Sequence, residues 1–219
     1  MKLAILFSGG KDSTYACYLA KKAGYEVGCL ISLLSKNEDS FMFHTPAIEL
    51  TKRQAELMNF PLITQMTEGK KEEELGDLKV AIKLAVKKYK IEGIVTGAVE
   101  SVYQATRIQK ICDELDLECF NPLWQKSQIE LLEELVNKKF EVLIVGVAAY
   151  PLDKKWIGRK IGERFILEMK KLRVKYKINP AGEGGEFESL VVNCPLFEKK
   201  LDLQIKEVVG EGNNWRAIF

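Results

Sequence analysis

Two stretches of the sequence carry residue types and spacings that could do chemistry. The first is Ser8-Gly9-Gly10-Lys11-Asp12-Ser13, which follows a five-residue apolar run and precedes a segment with helical spacing. Glycines let backbone amides approach an anion closely, and the positive end of the following helix points to the same place. The spacing matches neither a Walker A loop nor Gly-x-Gly-x-x-Gly. The stretch therefore predicts a phosphate-binding turn, with a plain tight turn as the alternative.

The second stretch is a glycine-rich segment with three carboxylates, Glu183, Glu186 and Glu188. Side chains alternate along a strand, so Glu186 and Glu188 are expected on one face, and the flexible glycines allow Glu183 to join them. Like charges held together are costly unless a cation binds between them. The segment predicts a cation-binding wall, with a solvated acidic edge as the alternative.

Three further side chains are candidates for contact with a phosphate or a substrate. His44, the single histidine, lies in a polar-flanked loop, where it could donate to phosphate, shuttle a proton or pack beside neighbouring aromatics. Gln104 and Arg107 are three residues apart, so a helix would place them on one side near its amino end. A surface pair is the alternative for these two.

The elements that must position these residues follow a regular alternation of apolar runs and amphipathic segments. Strands are predicted at residues 3–7, 26–34, 61–65, 91–96 and 118–120, and helices at 46–59, 71–89 and 102–117 and over the segment with helical spacing from Ala16 to Ala23. This rhythm predicts a doubly wound α/β domain, a parallel sheet covered on both faces. Ligands bind beyond the carboxyl ends of such strands, so residues 8–13, 35–45 and 97–101 should share one rim.

The pattern changes after Asn121-Pro122-Leu123-Trp124. A helix near 128–138, a strand at 141–149, a basic helix around 158–176 and short strands at 187–193, 200–209 and 215–219 follow. We therefore expect two domains, residues 1–122 and a smaller α/β domain at 123–219 with a mixed sheet.

Composition narrows the class of protein. The chain has 219 residues, 47% hydrophobic and 29% charged, with a net charge of +2, which excludes a disordered protein. It contains no apolar run of membrane-spanning length, and the first apolar run is too short for a secretory signal, so a cytoplasmic location is expected. Five cysteines without a Cys-x-x-Cys pair indicate buried thiols. Residues 154–177 hold ten Lys or Arg against two Glu, either a solvated helix face or a surface for an anionic partner.

The first stretch resembles the pyrophosphate loop (PP-loop) of the N-type ATP pyrophosphatases, whose fold is of the HUP, Rossmann-like kind. Other stretches are similar to the diphthine–ammonia ligase family: Phe41 to Thr45, Gly97 to Gln104 with Arg107, Pro122 to Trp124, Gly182 to Val191, and Cys194 to Phe197. The sequence departs from the family pattern at Phe187, where Tyr is expected, at Ser189, where Thr is expected, and at Val102, where an acid is usual.

The resemblance implies the last step of diphthamide synthesis, in which ATP activates the carboxylate of diphthine as an acyl-adenylate and ammonia displaces AMP. It implies ATP binding by the domain at 1–122 and substrate binding by the domain at 123–219. The expected nucleotide-binding residues are Ser8, Gly9, Gly10, Lys11, Asp12, Ser13, Gly97 and Ala98. The expected catalytic residues are Lys11, Asp12 and His44, with Mg²⁺ on Asp12.

Diphthine carries a trimethylammonium, which carboxylates and aromatic faces bind best. The expected substrate-binding residues are Glu100, Tyr103, Gln104, Arg107, Trp124, Glu183, Glu186 and Glu188. Tyr150 and Trp156 are further candidates for an aromatic wall.

The implied partners are elongation factor two, as the protein substrate, and free ammonia, because no Cys-His pair for a glutaminase is evident. A membrane is not expected, nucleic acid is not favoured, and a homodimer is left open. Two alternatives remain at this point. One is a tRNA-modifying ATP pyrophosphatase that uses the basic segment as a phosphate footprint. The other is an ATP-binding sensor without turnover.

Overall fold

The computed structural model describes residues 1–35, 50–68 and 73–219. The first half contains strands β1 (Lys2–Leu6), β2 (Glu26–Ser35), β3 (Leu62–Thr67), β4 (Gly93–Val95) and β5 (Glu118–Phe120). Between them lie helices α1 (Lys11–Lys22), α2 (Leu50–Leu57), α3 (Glu73–Tyr89) and α4 (Val102–Glu114). The predicted alternation of strands and helices is confirmed, with most boundaries shifted by a few residues.

The five strands form one parallel sheet in the order β3-β2-β1-β4-β5. Alternate residues of β1 serve opposite faces: Leu3 and Ile5 pack with α1, whereas Ala4 and Leu6 pack with α3 and α4. Both faces are therefore covered, which confirms the doubly wound α/β architecture. The strand order reverses between β1 and β4, and a crevice for a ligand opens at such a reversal.

The second half contains α5 (Gln128–Asn137), β6 (Glu141–Val147), a 3₁₀ turn (Lys154–Trp156), α6 (Glu163–Tyr176), β7 (Phe187–Asn193), β8 (Glu207–Glu211) and β9 (Asn214–Ile218). Its four strands are ordered β7-β6-β9-β8. Every pairing is antiparallel, so the prediction of a mixed sheet was wrong.

Two predicted elements begin later than expected. The strand predicted from residue 200 starts at Glu207. The basic helix predicted from residue 158 starts at Glu163, because the preceding backbone pairs with β6 instead: the Ile144 amide donates to the Arg159 carbonyl at 2.9 Å. Gly158, with φ +80°, makes the bend that brings this segment back against the strand.

Helix α1 packs against elements from both halves of the chain. The Tyr15 hydroxyl donates to Glu134 of α5 at 2.6 Å, and the Tyr15 ring meets Phe140 edge-on at 5.4 Å. One apolar core runs from β1 through α1 to α5, α6 and β7. The start of α1 is thereby fixed relative to β7. The domain boundary after residue 122 stays a prediction. None of the helices in the described part of the chain has the length and apolar character needed to span a bilayer.

Candidate active site

The turn between β1 and α1 is folded by its own hydroxyl groups. The Ser8 amide donates to Ser13 Oγ at 3.2 Å, and the Gly10 amide reaches Ser8 Oγ at 3.4 Å. Ser13 Oγ and Thr14 Oγ1 in turn donate to the Gly10 carbonyl at 3.3 and 2.8 Å. Gly10 is the residue that caps α1, so the turn directly joins the positive end of the helix dipole. This is the local geometry that a phosphate-binding turn requires.

Strand β7 braces the turn from the other sheet. The Val191 amide donates to the Gly9 carbonyl at 3.0 Å, and the Lys11 amide donates to Ser189 Oγ at 3.2 Å. A Cβ on Gly10 would lie 3.2 Å from the Ser189 carbonyl oxygen. The second glycine-rich segment thus leads into a strand that holds the first one in place, a contact that the sequence did not reveal.

A fully buried glutamine links the turn and β7. Gln54 of α2 donates through Nε2 to the carbonyls of Gly9, at 3.0 Å, and Val191, at 2.7 Å. Nothing in the sequence distinguishes Gln54 from the polar residues of an ordinary amphipathic helix. Its role follows only from the way α2 packs against both sheets.

We expect Gly9→Ala to destabilise the protein much more than Gly24→Ala. Both glycines have a positive φ, +78° and +87°, but a Cβ on Gly9 would lie 2.2 Å from Gln54 Oε1, whereas nothing lies within 4 Å of one on Gly24. Backbone strain alone costs roughly 1–2 kcal/mol at each site, and displacing the buried glutamine adds roughly 1–3 kcal/mol at Gly9. Urea unfolding of both variants measures the difference; equal losses would show that Gln54 does not confine the turn.

Lys11 and Asp12 form the charged end of the turn. Lys11 is 4% exposed, and its Nζ lies 2.8 Å from Asp12 Oδ2 and 5.6 Å from the centre of the Phe187 ring. The other oxygen, Asp12 Oδ1, is buried and accepts no hydrogen bond from the described residues. A buried carboxylate oxygen without a donor suits a bound cation.

The carboxyl end of β4 lies directly against this turn. A Cβ on Gly97 would lie 2.7 Å from the Ser13 nitrogen, so only glycine allows this close approach. The structure shows that Gly97 lies against the turn that is expected to bind the phosphates, and its contact with nucleotide stays a prediction. The next amide, of Ala98, donates to Thr96 Oγ1 at 3.1 Å, and Thr96 is held by Asn121. The β4 side of the crevice is therefore held by hydrogen bonds.

Glu183 lies between the turn and the loop that follows β4. Its carboxylate accepts the Glu100 amide, and burial, together with the nearby charges of Asp12 and Glu100, raises its pKa to about 7 in spite of the opposing effect of Lys11. Two predicted site residues, Glu100 and Glu183, are thus brought together beside Lys11 and Asp12.

A second glutamine that the sequence did not single out supports this group. Gln128 is 7% exposed and donates to Glu100 Oε2 at 2.9 Å and to Asn179 Oδ1 at 3.3 Å. Its own oxygen accepts the Ala181 amide at 2.9 Å. Gln128 therefore fixes the loop after β4 relative to the segment that carries Glu183.

Glu186 and Glu188 do not join Glu183 in one wall, so that expectation is corrected. The buried Glu186 carboxylate accepts the amide and side chain of Asn179, at 2.9 and 2.7 Å, and the Gly184 amide at 2.8 Å. It closes the turn that presents Glu183. Glu188 shares a face of β7 with Leu190, opposite to Ser189, and lies over Gly146 of β6.

Burial raises the pKa of Glu188 to about 8, from an ordinary value of 4.5. The folded state therefore holds this proton more tightly than the unfolded state, and stability is lost as pH rises between these two values. For Glu188 these values imply that the free energy of unfolding falls by roughly 3–4 kcal/mol from about pH 5 to about pH 8, and Glu183, whose pKa is also raised, adds a smaller fall. We expect Glu188→Gln to remove the Glu188 part of the fall and to keep the rest. Urea unfolding across this range is the measurement; an unchanged slope in the variant would contradict the assignment.

The other predicted site residues make local contacts of their own or are exposed. The Arg107 guanidinium covers the Tyr103 ring at 3.6 Å, and Gln104 is half-buried in the first turn of α4. Trp124 and Tyr150 are 36% and 65% exposed. The Trp156 face is occupied by Arg159 at 4.0 Å. His44 and the rest of the predicted loop at residues 36–45 lie outside the described residues.

Comparisons with known proteins identify a family of related sequences. The N-terminal domain of diphthamide synthase matches residues 1–119, and the C-terminal domain of diphthamide synthase matches residues 127–217. The diphthine–ammonia ligases of Bos taurus and Homo sapiens are 35% and 34% identical over 230 residues, which is 95% of this chain and 85% of theirs. The ligase of Schizosaccharomyces pombe is 35% identical over 225 residues, 95% of this chain but 37% of its own longer chain.

One solved structure, described as a predicted subunit of tRNA methyltransferase from Methanocaldococcus jannaschii, has a TM-score of 0.46 and 15% identity, covering 91% of this chain and 99% of that one. Such a distant likeness has no bearing on function. Both diphthamide synthase domains and relatives matched over nearly the whole chain lead to one conclusion: this chain belongs to the diphthamide synthase, or diphthine–ammonia ligase, family.

Proposed function

We propose that this protein is an enzyme that amidates diphthine to diphthamide, using ATP and ammonia and releasing AMP and pyrophosphate. The observation that carries the proposal is the meeting of the β1–α1 turn with Glu100 and Glu183 at one edge of the parallel sheet. Membership of a family whose curated relatives are named diphthine–ammonia ligase supports it. The tRNA-modifying and sensor alternatives are not favoured.

The first half of the reaction is the attack of a diphthine carboxylate oxygen on the α-phosphorus of ATP, with pyrophosphate as the leaving group. The turn residues bind the departing charge: backbone amides and the hydroxyls of Ser8 and Ser13 contact oxygens, and Lys11 supplies a buried positive charge. Because Lys11 is fixed by Asp12 and packed near Phe187, this charge needs no reorganisation during the reaction.

The second half is the attack of ammonia on the acyl carbon, with loss of a proton and departure of AMP. Burial raises the thiol pKa of Cys17, Cys29 and Cys194 to about 12, 12 and 11, so these thiols are poor nucleophiles for releasing ammonia from glutamine. These three thiols are therefore not candidates for a glutaminase nucleophile, and free ammonia is the proposed nitrogen donor.

Glu100 and Glu183 are the proposed site of the trimethylammonium of diphthine. A quaternary ammonium cannot donate an N–H hydrogen bond, so carboxylate charge is what can recognise it. Burial and the nearby charges of Asp12 and Glu100 raise the pKa of Glu183, and a bound cation would lower it. Glu186 supports the same site indirectly, because it accepts the hydrogen bond that shapes the turn. Trp124 and Tyr150, which are exposed, are the proposed sources of an aromatic face for the trimethylammonium.

The proposal also includes Mg²⁺ as a bound ion and elongation factor two as the protein substrate. The uncompensated oxygen of Asp12 fits a magnesium ion, but the described residues hold no group of three ligands that would bind a metal alone. This suits Mg²⁺, which usually binds one or two carboxylates together with substrate phosphates. When bound, it would neutralise charge on the departing phosphates. The protein substrate is proposed to be elongation factor two bearing diphthine.

The test is a reconstituted reaction containing the protein, ATP, Mg²⁺, ¹⁵N-ammonium and diphthine-bearing elongation factor two. We expect AMP and pyrophosphate to form in step with the conversion of the carboxylate to a ¹⁵N-labelled amide in the factor. AMP formation without label in the factor, or no AMP when ammonium and the factor are both present, would contradict the proposal.

A further inference from the structure

Helix α6 exposes aliphatic side chains on a strongly basic face. Leu167 and Val174 are 59% and 76% exposed, and Lys171 lies between them on the same side of the helix. Seven residues of helix separate the two aliphatic side chains by roughly 10 Å. Both are turned away from the buried side of α6, which contains Phe165, Ile166 and Met169.

Three further basic residues flank this stripe. We use the term α6 face for the set Arg164, Leu167, Lys170, Lys171, Val174 and Lys175, all exposed. Its neighbourhood is basic throughout, since residues 154–177 carry ten Lys or Arg and only two Glu. Ion pairs neutralise part of this positive charge: Lys170 pairs with Glu133 of α5 at 2.8 Å, and Arg164 pairs with Glu168 at 3.2 Å. The remaining excess is positive.

The carboxyl end of α6 lies close along the chain to residues that support the candidate active site. The helix ends at Tyr176, whose ring meets Tyr150 edge-on at 5.3 Å. Three residues later, Asn179 contacts Gln128 and Glu186, which belong to the group that positions Glu183. The carboxyl end of α6 is therefore three residues along the chain from the group that positions Glu183.

We propose that the α6 face docks an acidic surface of the protein whose diphthine side chain is the substrate. This inference rests on the proposed function. A side chain on a folded protein reaches a recessed site only if the surrounding surface is also accommodated, and a basic face beside the site complements an acidic one. Two aliphatic side chains within the basic stripe provide the apolar contact that protein interfaces have at their centre. The α6 face is less suited to RNA, because it has no aromatic side chain on which a base could stack.

The test compares the double variant Lys171→Glu/Val174→Asp with a matched control on helix α3. There, Val80 and Leu84 are 56% and 47% exposed beside the exposed Lys83 and Lys87, so Lys87→Glu/Leu84→Asp changes a similar face far from the site. Each protein is assayed with diphthine-bearing elongation factor two and with a short diphthine-containing peptide. Circular dichroism and thermal unfolding confirm that both variants fold.

For the α6 variant we expect KM for the intact factor to rise about 10-fold or more, with kcat and peptide turnover unchanged. Added salt should raise KM for the wild type more than for the variant, because charge attraction is screened. The α3 control should behave as the wild type does. An unchanged KM for the factor, or an equal loss with factor and peptide, would overturn the proposal. So would an α6 variant that loses binding of total tRNA but not of the factor.

If the wild type turns over neither diphthine substrate, the proposed function fails, and docking is then judged by binding alone. Biolayer interferometry with immobilised elongation factor two compares the wild type and the two variants. Weaker binding of only the α6 variant supports docking on this face, and equal binding by all three overturns it.

Discussion

Lys11→Met is expected to slow adenylation on the order of 10²-fold or more while leaving the protein folded. The methionine keeps most of the buried volume but removes the positive charge that faces the departing pyrophosphate, and it leaves the Asp12 carboxylate without its ion-pair partner. The effect should appear in kcat, since the charge is needed most in the transition state. Pyrophosphate release at saturating diphthine substrate is the measurement.

Lys22→Met is the matched control for this change, because Lys22 is exposed at the other end of the same helix. It should retain wild-type turnover. Ser8→Ala is expected to lower the rate by a similar factor, since it removes an oxygen that folds the turn. Wild-type rates in both Lys11→Met and Ser8→Ala would remove the β1–α1 turn from the reaction.

Glu186→Ala is expected to abolish amidation without weakening ATP binding. The substitution leaves three donors of the Asn179 and Gly184 region without their acceptor, which costs roughly 2–4 kcal/mol and releases the turn that carries Glu183. The β1–α1 turn is held separately, by Ser189, Val191 and Gln54. Calorimetry should give an ATP Kd within about 2-fold of the wild type, while diphthamide formation falls by on the order of 10²-fold or more.

Two further variants separate shape from charge at this position. Glu186→Gln keeps one acceptor oxygen, so this variant should recover part of the activity. If the carboxylate charge contacted the substrate directly, Glu186→Gln would be as inactive as Glu186→Ala. Glu207→Ala, at an exposed position of β8, is the control for loss of a glutamate. Loss of ATP affinity in Glu186→Ala would assign Glu186 to the nucleotide instead.

Features encoded in neighbouring residues were predicted well. The alternation of apolar and amphipathic segments gave the parallel sheet, and its reversal between β1 and β4 places the Ser8–Ser13 turn beside Gly97. Such patterns depend on the 2.0 and 3.6 residue periods of strands and helices.

Features that depend on contacts between distant segments were missed or misplaced. Gln54 and Gln128 bridge pieces of chain far apart in sequence, and nothing in their surroundings marks them. Alternation placed Glu186 and Glu188 on one face of a strand, but it could not show that Glu186 accepts hydrogen bonds within its own turn or that Glu188 lies over Gly146. The start of α6 was misplaced because residues 159 and 160 pair with β6, a tertiary interaction that overrides helical propensity.

A crystal structure of the protein with Mg²⁺ and a non-hydrolysable ATP analogue tests the whole account most directly. We expect the β- and γ-phosphates on the amides and hydroxyls of Ser8–Ser13, the Lys11 ammonium beside them, and the α-phosphate directed toward the space bounded by Glu100 and Glu183. Phosphates bound away from this turn, or an α-phosphate screened by protein from those two carboxylates, would contradict the account.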